Sequence, residues 1–300
     1  MTHPYCNLHC HSTRSDGGLT ISELVAHYDK KGVGALALTD HDILCPDDLT
    51  SYEAAAGGRV RLIRGCEVST CYHTRDGSKS ITVHVIALFY RPDAPNLQAL
   101  TTYNKTLSNR DSVVLVLQKL EQWGKSIGSY EQLSRKYGHY IRKVDMAREL
   151  AAKHGISIDE AYDIYLSSHG ERRAYVPSHM AYPPLPVVVS AILQDGGLPI
   201  LAHPLHYKLT ETELEQLFED FRTAAGENPA GVEGRYSRYA PHLQEPYYLH
   251  IRELAQRYDL LLSAGDDFHG NAQEDLHLNT AFPISIYETL KQAHEAAFQP

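Results

Sequence analysis

The sequence predicts an α/β protein in which parallel strands alternate with helices. Short apolar runs and helical patterns alternate through the first 90 residues, and the alternation resumes after residue 185. Residues that can bind metal ions fall at or near the carboxyl ends of nearly all the predicted strands. Because these ends meet on one face of a parallel barrel, the pattern predicts a single polar site on that face.

The amino-terminal part of the barrel is predicted to contain one capped helix and four strands. Thr20 and Glu23 have the spacing of a capping box, which starts a helix that runs to Lys31 and ends before Gly32. The strands are predicted at residues 4–8, 35–39, 60–66 and 81–89. Each of them contains, or runs directly into, a histidine or a carboxylate.

The middle of the chain follows a different pattern, which predicts a mainly helical insertion. Helical patterns cover residues 97–123 and 145–168, and prolines close the segment. Strands are again predicted at 198–202, 231–233 and 260–264. We therefore expect a barrel domain of residues 1–91 and 186–300, with residues 92–185 as a helical domain that covers the active site.

The composition is that of an ordinary globular protein and narrows the range of partners. The net charge of −9 argues against a broad grip on duplex DNA, although it leaves room for a local basic pocket. No apolar run approaches the roughly 18–20 residues that cross a bilayer, so no membrane partner is expected. Five cysteines form no CxxC pair, and the first residues lack the pattern of a secretory signal. These features predict a cytoplasmic protein with reduced thiols.

Histidines and carboxylates at the strand ends have the chemistry of a metal site. His9 and His11 point the same way from an extended segment, while Cys10 between them is interpreted as a packing residue. Alone, this pair is a weak signal, but six further residues strengthen it: His41, Glu67, His84, His203, Asp267 and His269. Imidazoles with carboxylates and without thiolates suit Mn²⁺, Fe²⁺ or Zn²⁺ better than Ca²⁺ or Mg²⁺. The alternative is that these are hydrogen-bonded core residues without a metal. This alternative applies most to His84 and His203.

Several blocks of sequence, in order and spacing, resemble the PHP (polymerase and histidinol phosphatase) family, and within it the stand-alone phosphoesterase branch. The blocks are Asn7–Ser12, Ser15–Gly17, Leu38–Asp42, Gly65–Ser69, His84 in its apolar strand, Leu201–Pro204 and Asp267–Gly270. The resemblance covers nearly the whole chain. It implies a distorted (β/α)7 barrel similar to a TIM barrel, with the helical insertion.

The resemblance also implies a site for two or three divalent metal ions, with Mn²⁺ expected and Fe²⁺ or Zn²⁺ as alternatives. One ion would be held by His9, His11, Glu67 and Asp267, the second by Asp16, His41 and His269, and the third by Glu67, His84 and His203. The four residues of the first set are expected to be catalytic, because they would help generate the hydroxide that attacks phosphorus. Three further carboxylates, Asp40, Asp42 and Asp266, are expected to orient the ligands or their loops.

The chain departs from the family pattern where the substrate is expected to bind. In the stretch 141–148, Lys143 stands where relatives commonly have arginine, and Asp145 where they have histidine, so Asp145 would repel a phosphate unless it is protonated or metal-paired. We expect substrate contacts from five residues: Arg142, Lys143, Arg148, Arg235 and Arg238. The insertion also offers Arg172, Arg173 and Tyr175. Each of the arginines is, taken singly, equally compatible with a solvated loop charge.

Hydrolysis of a small phosphorylated substrate is the predicted function, through attack of a metal-activated hydroxide on phosphorus. The substrates considered are a nucleotide, a nucleoside 3′,5′-bisphosphate and a sugar cyclic phosphate. One alternative is 5′-to-3′ trimming of short RNA, which a relative in this branch performs. A second, of a different class, is a metal-binding regulatory module with little activity.

Overall fold

The chain forms two compact units in the computed structural model, which describes residues 3–55, 57–138, 141–167, 174, 182–270 and 282–298. Residues 1–101 and 183–300 make up the larger unit, and residues 102–182 the smaller one. Within the described ranges, no helix combines the length and the apolar character that crossing a membrane requires.

One mixed sheet, curved into a nearly closed barrel, forms the centre of the larger unit. Its strands are β1 (Tyr5–Asn7), β2 (Val33–Leu38), β3 (Arg61–His73), β4 (Ser80–Leu88), β5 (Leu198–Leu201), β6 (Gly231–Tyr236), β7 (Leu261–Gly265) and β8 (Phe282–Pro283). They follow the order β7-β6-β5-β4-β3-β2-β1-β8. The α/β barrel class predicted from the sequence is confirmed.

The barrel closes between the residues that follow β1 and the end of β7 with the residues after it. The backbone N–H of Leu8 donates to the Ala264 carbonyl at 3.0 Å, and that of His11 donates to the Phe268 carbonyl at 2.9 Å. In return, the N–H of Asp267 donates to the His9 carbonyl at 3.0 Å. These bonds place the segment of His9 and His11 beside the segment of Asp267 and His269 at one end of the barrel.

The sheet is not parallel throughout, and here the expectation of a parallel barrel is wrong. Strands β1 to β3 and β5 to β7 form two parallel blocks, but β4 runs antiparallel to both of its neighbours. The cause is the short connection at residues 74–79, since a hairpin joins antiparallel strands while a parallel pair needs a long crossover. Glu67 and His84 consequently lie inside long strands, with His84 opposite Ser69 in register, and not at strand ends.

Eleven α-helices are found among the described residues. They are α1 (Ile21–Lys30), α2 (Thr50–Ala55), α3 (Pro95–Thr102), α4 (Ser108–Gln122), α5 (Tyr130–Tyr137), α6 (Lys143–His154), α7 (Ile158–Ala161), α8 (Leu185–Gln194), α9 (Glu211–Ala225), α10 (Pro241–Arg257) and α11 (Ile284–Phe298). The predicted capping box of α1 is confirmed, because Thr20 accepts from the Glu23 N–H and Glu23 reaches back to the Thr20 backbone. Each such box satisfies two backbone donors that a helix start otherwise leaves without partners.

The smaller unit is helical and has its own apolar core. Leu120 of α4, Ile141 and Leu150 of α6 are buried in it. Its limits are narrower than the expected insertion of residues 92–185. Leu97 of α3 packs in the core of the larger unit, and its backbone N–H donates to the Asp195 carboxylate at 2.7 Å. That the helical unit covers the active site stays a prediction.

Candidate metal centre

The histidine pair predicted from the sequence lies on the segment that closes the barrel. His9 and His11 are fully buried and point to the same side, as an extended backbone requires. Cys10 points the other way, packs in an apolar cluster with Phe268 and contacts the Ala37 carbonyl through its thiol at 3.2 Å. The interpretation of Cys10 as a packing residue is confirmed.

A single buried carboxylate, Glu67, lies at the centre of the histidines. Its Oε1 is 3.0 Å from Nδ1 of His84 and 3.0 Å from Nε2 of His203. Its Oε2 is within 3.3 Å of three more imidazole nitrogens, which belong to His9, His11 and His41. Five imidazoles from four segments of the larger unit therefore contact one side chain, and that side chain is inaccessible to solvent.

Potential ligand atoms form three overlapping groups in which all the atoms lie within 4.8 Å of one another. The groups are His9, His11, Glu67 and Asp267; His11, Asp16, His41 and His269; and His41, Glu67 and His84. The first is the set that the family resemblance implied. The second group contains the three implied residues and also His11, which therefore belongs to two groups. The implied third set is also assembled, since Nδ1 of His84 and Nε2 of His203 are 3.4 Å apart and both contact Glu67.

The chemistry of this donor set fits divalent metal ions. Oε2 of Glu67 is buried with three imidazole nitrogens close by, yet it has hydrogen-bond geometry to none of them, and Nδ1 of His11 is likewise buried without a hydrogen-bond partner among the described residues. Buried polar atoms are rarely left in this state, because an unmade hydrogen bond is unfavourable. Imidazole and carboxylate ligands suit Mn²⁺, Fe²⁺ and Zn²⁺. The clusters thus point to bound divalent metal ions.

The two buried carboxylates of the centre remain ionised, as metal ligands must be. Burial by itself would raise the pKa of Glu67, but the surrounding His41, His84 and His9 outweigh it and hold that pKa well below the ordinary value. Burial would also raise the pKa of Asp267, but His9 and His11 outweigh this effect and hold that pKa well below its usual range. A carboxylate in this state needs no proton release before it binds a cation.

The rim of the cluster is open to solvent, whereas its base is not. His9, His11 and Glu67 have completely buried side chains. In contrast, the side chain of Asp16 is 54% exposed and that of His41 is 28% exposed. A small molecule can therefore approach the cluster from the side of Asp16 and His41.

The three carboxylates that were expected to orient ligands or loops accept hydrogen bonds from residues near the proposed ligands, and their orienting role stays a prediction. Asp40 accepts hydrogen bonds from the backbone N–H and hydroxyl of Ser12 and from the hydroxyl of Ser15, all at 2.7–2.8 Å, which fixes the turn before Asp16. Asp42 accepts a hydrogen bond at 3.0 Å from the N–H of Ser69, which lies two residues after Glu67 in β3. Asp266 accepts from the Asn7 amide at 3.0 Å and from the Tyr28 hydroxyl.

Asp267 connects the histidines to two residues that follow Glu233 in sequence. Its Oδ1 is 3.0 Å from Nε2 of His11, while its Oδ2 accepts the Tyr236 hydroxyl at 2.7 Å and contacts Nη1 of Arg238 at 3.3 Å. Arg238, predicted as a substrate contact, is thus adjacent to the cluster. Sequence reasoning did not single out Tyr236 or Glu233. Their position was the available signal, since both lie in β6, a strand that ends at the face where the ligands lie.

Arg235, the other arginine predicted in this segment, is engaged with α10. Its guanidinium lies 3.8 Å from the ring centroid of Tyr248, and its Nη1 is 3.3 Å from the Glu245 carboxylate. The bulge between Glu233 and Arg235 in the pairing of β6 with β7 occurs at this position. The substrate role expected for Arg235 stays a prediction.

In the smaller unit, the predicted substrate residues surround Asp145 at the start of α6. Nε of Arg142 and Nη1 of Arg148 are each 3.0 Å from an oxygen of this buried carboxylate. The Arg142 hydrogen bond lowers the pKa of Asp145, so the carboxylate is ionised and paired with arginines. Burial lowers the pKa of Lys143, the first residue of the helix. Arg172, Arg173 and Tyr175 lie outside the described residues.

Comparison with known proteins identifies the family to which these features belong. The PHP domain model matches residues 7–182. A 5′-3′ exoribonuclease from Haemophilus influenzae is 30% identical over 270 residues, which cover 90% of this chain and 91% of the relative. A 3′,5′-nucleoside bisphosphate phosphatase from Chromobacterium violaceum is 30% identical over 273 residues, which cover 88% of this chain and 86% of the relative.

A solved structure supports the same relationship at the level of the fold. An amidohydrolase from Chromobacterium violaceum, solved with bound sulfate and no metal, has a TM-score of 0.62 and 26% identity, and the match covers 96% of each chain. The family match spans more than half of the sequence, and a relative at 30% identity spans most of it. The resemblance predicted from the sequence is confirmed, and the chain belongs to the PHP domain family.

Proposed function

We propose that this protein hydrolyses a small phosphate ester at a centre of two or three divalent metal ions. The proposed ligands are His9, His11, Asp16, His41, Glu67, His84, His203, Asp267 and His269. One observation carries the proposal: the carboxylate of Glu67 is buried among five imidazoles and keeps an oxygen without a hydrogen bond. The general class is shown by the relatives, and the chain is a hydrolase of phosphoric esters.

Each part of the centre has a task in ester hydrolysis. Divalent ions bound there lower the pKa of a coordinated water towards neutrality and offset the charge of a phosphate group. Glu67 and Asp267 supply the negative charge that holds the ions, and the imidazoles of His9 and His11 complete the buried base of the site. Arg238 presents a partly exposed guanidinium next to Asp267, where it can contact a phosphate oxygen.

The substrates that fit best are a nucleotide, a nucleoside 3′,5′-bisphosphate and a sugar cyclic phosphate. Support comes from the Chromobacterium relative, which is named as a phosphatase of nucleoside 3′,5′-bisphosphates. A second candidate is 5′-to-3′ exoribonuclease activity on short RNA, favoured by the Haemophilus relative, which is named for that activity. Mn²⁺ is the ion that we expect, with Fe²⁺ and Zn²⁺ as alternatives.

A comparison of substrates under controlled metal loading tests this proposal. Protein stripped with a chelator is expected to be inactive, and Mn²⁺ is expected to restore cleavage of at least one phosphate ester. Adenosine 3′,5′-bisphosphate, a ribose cyclic phosphate and a short 5′-phosphorylated RNA should be compared by phosphate release and by separation of products. The preferred substrate should exceed the others in kcat/KM. Failure of every substrate with fully metal-loaded protein would contradict the proposal.

Arg238 is expected to act on the substrate phosphate and not on the fold. Replacing Arg238 with alanine should lower kcat/KM by roughly 10- to 100-fold, since a hydrogen bond to a charged group contributes about 1.5–3 kcal/mol. Metal content should be retained, because Tyr236 still donates to Asp267. Lysine at the same position should restore part of the activity, as a point charge without the fork of arginine. Steady-state kinetics and metal analysis check both points.

The matched control for Arg238→Ala is Arg257→Ala. Arg257 forms a surface ion pair with Glu215. Its removal should leave kcat/KM unchanged within about twofold, because an exposed pair contributes little. If Arg238→Ala behaved like Arg257→Ala, the proposed contact with the phosphate would be wrong.

A further inference from the structure

Glu233 is a buried carboxylate that contacts two of the proposed metal ligands at once. Its Oε1 lies 3.1 Å from Nδ1 of His9, and its Oε2 accepts the backbone N–H of His203 at 2.8 Å. The residue is only 2% exposed. His9 and His203 belong to different proposed metal positions, so Glu233 connects the two.

The contact with His9 determines which ring nitrogen faces the cluster as a ligand. A carboxylate only accepts hydrogen bonds, so Nδ1 of His9 carries the hydrogen in this pair. In the neutral ring that a metal ion requires, the lone pair is then on Nε2, which is 3.3 Å from Oε2 of Glu67 and 3.3 Å from Oδ1 of Asp267. A partner on the outer nitrogen fixes both the tautomer and the orientation of a metal-binding histidine.

The contact with His203 acts on the backbone instead of the ring. Nδ1 of His203 is buried and has no hydrogen-bond partner among the described residues, so its ring lacks an anchor of the kind that His9 has. The backbone of His203 has φ 27° and ψ 57°, a left-handed conformation that is uncommon outside glycine. The bond from its N–H to Glu233 stabilises this conformation, in which Nε2 lies 3.0 Å from Glu67.

We propose that Glu233 is a positioning residue that orients His9 and His203 as ligands of two different metal ions. The inference rests on the proposed metal centre and adds a residue outside the nine proposed ligands. It follows that Glu233 controls metal occupancy at the positions of His9 and His203. The position formed by Asp16, His41 and His269 should depend on it less, because the ligands that Glu233 contacts are His9 and His203.

Glu233→Gln tests the proposal by metal binding, independently of catalysis. Glutamine offers one oxygen for two donors, so either the His9 Nδ1–H or the His203 N–H loses its acceptor. Calorimetry and metal analysis with Mn²⁺ should show affinity weakened by about 10- to 100-fold for all but one of the bound ions. Asp195→Asn is the matched control, because Asp195 is also buried and accepts two N–H donors, from Asn96 and Leu97, without contact to a histidine. It should bind Mn²⁺ like the wild type.

A second measurement on the wild-type protein keeps the test independent of how well the variant folds. In protein loaded with diamagnetic Zn²⁺, nitrogen-15 NMR should show His9 protonated at Nδ1 and metal-bound through Nε2, and His9→Asn identifies the resonance. Coordination of His9 through Nδ1 would overturn the proposal, as would a folded Glu233→Gln protein with wild-type Mn²⁺ affinity. A wild-type protein that binds metal as expected but cleaves no phosphate ester would overturn the proposed function alone.

Discussion

Replacing Glu67 with glutamine is expected to lower kcat/KM for ester hydrolysis by about a thousandfold or more, which corresponds to roughly 4 kcal/mol. The side chain of Glu67 contacts histidines of all three groups of potential ligands. An amide keeps the shape of the side chain but removes the negative charge and turns one ligand oxygen into an N–H donor. We therefore expect both metal content and activity to fall together.

The arrangement around Glu67 explains why this single change should act on the whole centre. Oε1 faces His84 and His203, and Oε2 faces His9, His11 and His41. No water reaches the carboxylate to replace a lost contact, since the residue is 0% exposed. Removing one partner from a buried charged cluster is strongly unfavourable, because the remaining charges lose their compensation.

Metal analysis, circular dichroism and steady-state kinetics check the effect of Glu67→Gln. Glu53→Gln is a suitable control, because Glu53 accepts a hydrogen bond from the Leu62 N–H, which a glutamine oxygen can still accept. This control should keep its metal and its activity. A folded Glu67→Gln protein with full metal content and activity within tenfold of the wild type would show that Glu67 is not the shared ligand.

The clustering of the proposed metal ligands could largely be predicted from the sequence, because much of its signal is local. His9 and His11 alternate along an extended segment, and this spacing alone places both imidazoles on one side. The position of His84 was less predictable. It depends on β4 running antiparallel, which the short 74–79 turn enforces, whereas the strand-end argument treated the barrel as parallel throughout. The residues alone marked His84 as one of several candidate histidines in predicted strands, and its assignment to a particular metal position came from the family resemblance.

The supporting residues were harder to predict, because their roles depend on contacts distant in sequence. Glu233 lies 224 positions from His9, and its place at the end of a predicted strand does not show which ligands it contacts. The arginines show the same limit. Arg235 and Arg238 are three residues apart, yet one engages α10 and the other contacts Asp267. The bulge beside Arg235 changes the direction of the chain there, and a bulge is not visible in sequence.

Replacing Gly265 with alanine is expected to lower the free energy of unfolding by about 3 kcal/mol, the upper part of the usual range for overpacking. A Cβ at this position would be 2.3 Å from Cβ of His9 and 2.8 Å from Oε1 of Glu233. Both distances are too short for non-bonded atoms, and His9 is held by the hydrogen bonds that close the barrel. The added methyl group should therefore displace His9 and Glu233 and weaken Mn²⁺ binding by about 100-fold.

Urea unfolding and Mn²⁺ titration of Gly265→Ala should show both effects together. Gly155→Ala separates them, because Gly155 has a left-handed φ of 67° and open space around its Cβ position. Alanine there should destabilise by roughly 1–2 kcal/mol through backbone strain, without any change in Mn²⁺ affinity. If Gly265→Ala lost stability but bound Mn²⁺ normally, the close contact of β7 with His9 would support the fold alone. If Gly265→Ala lost Mn²⁺ binding and Gly155→Ala kept it, the close packing of β7 against His9 would be what holds this ligand in place.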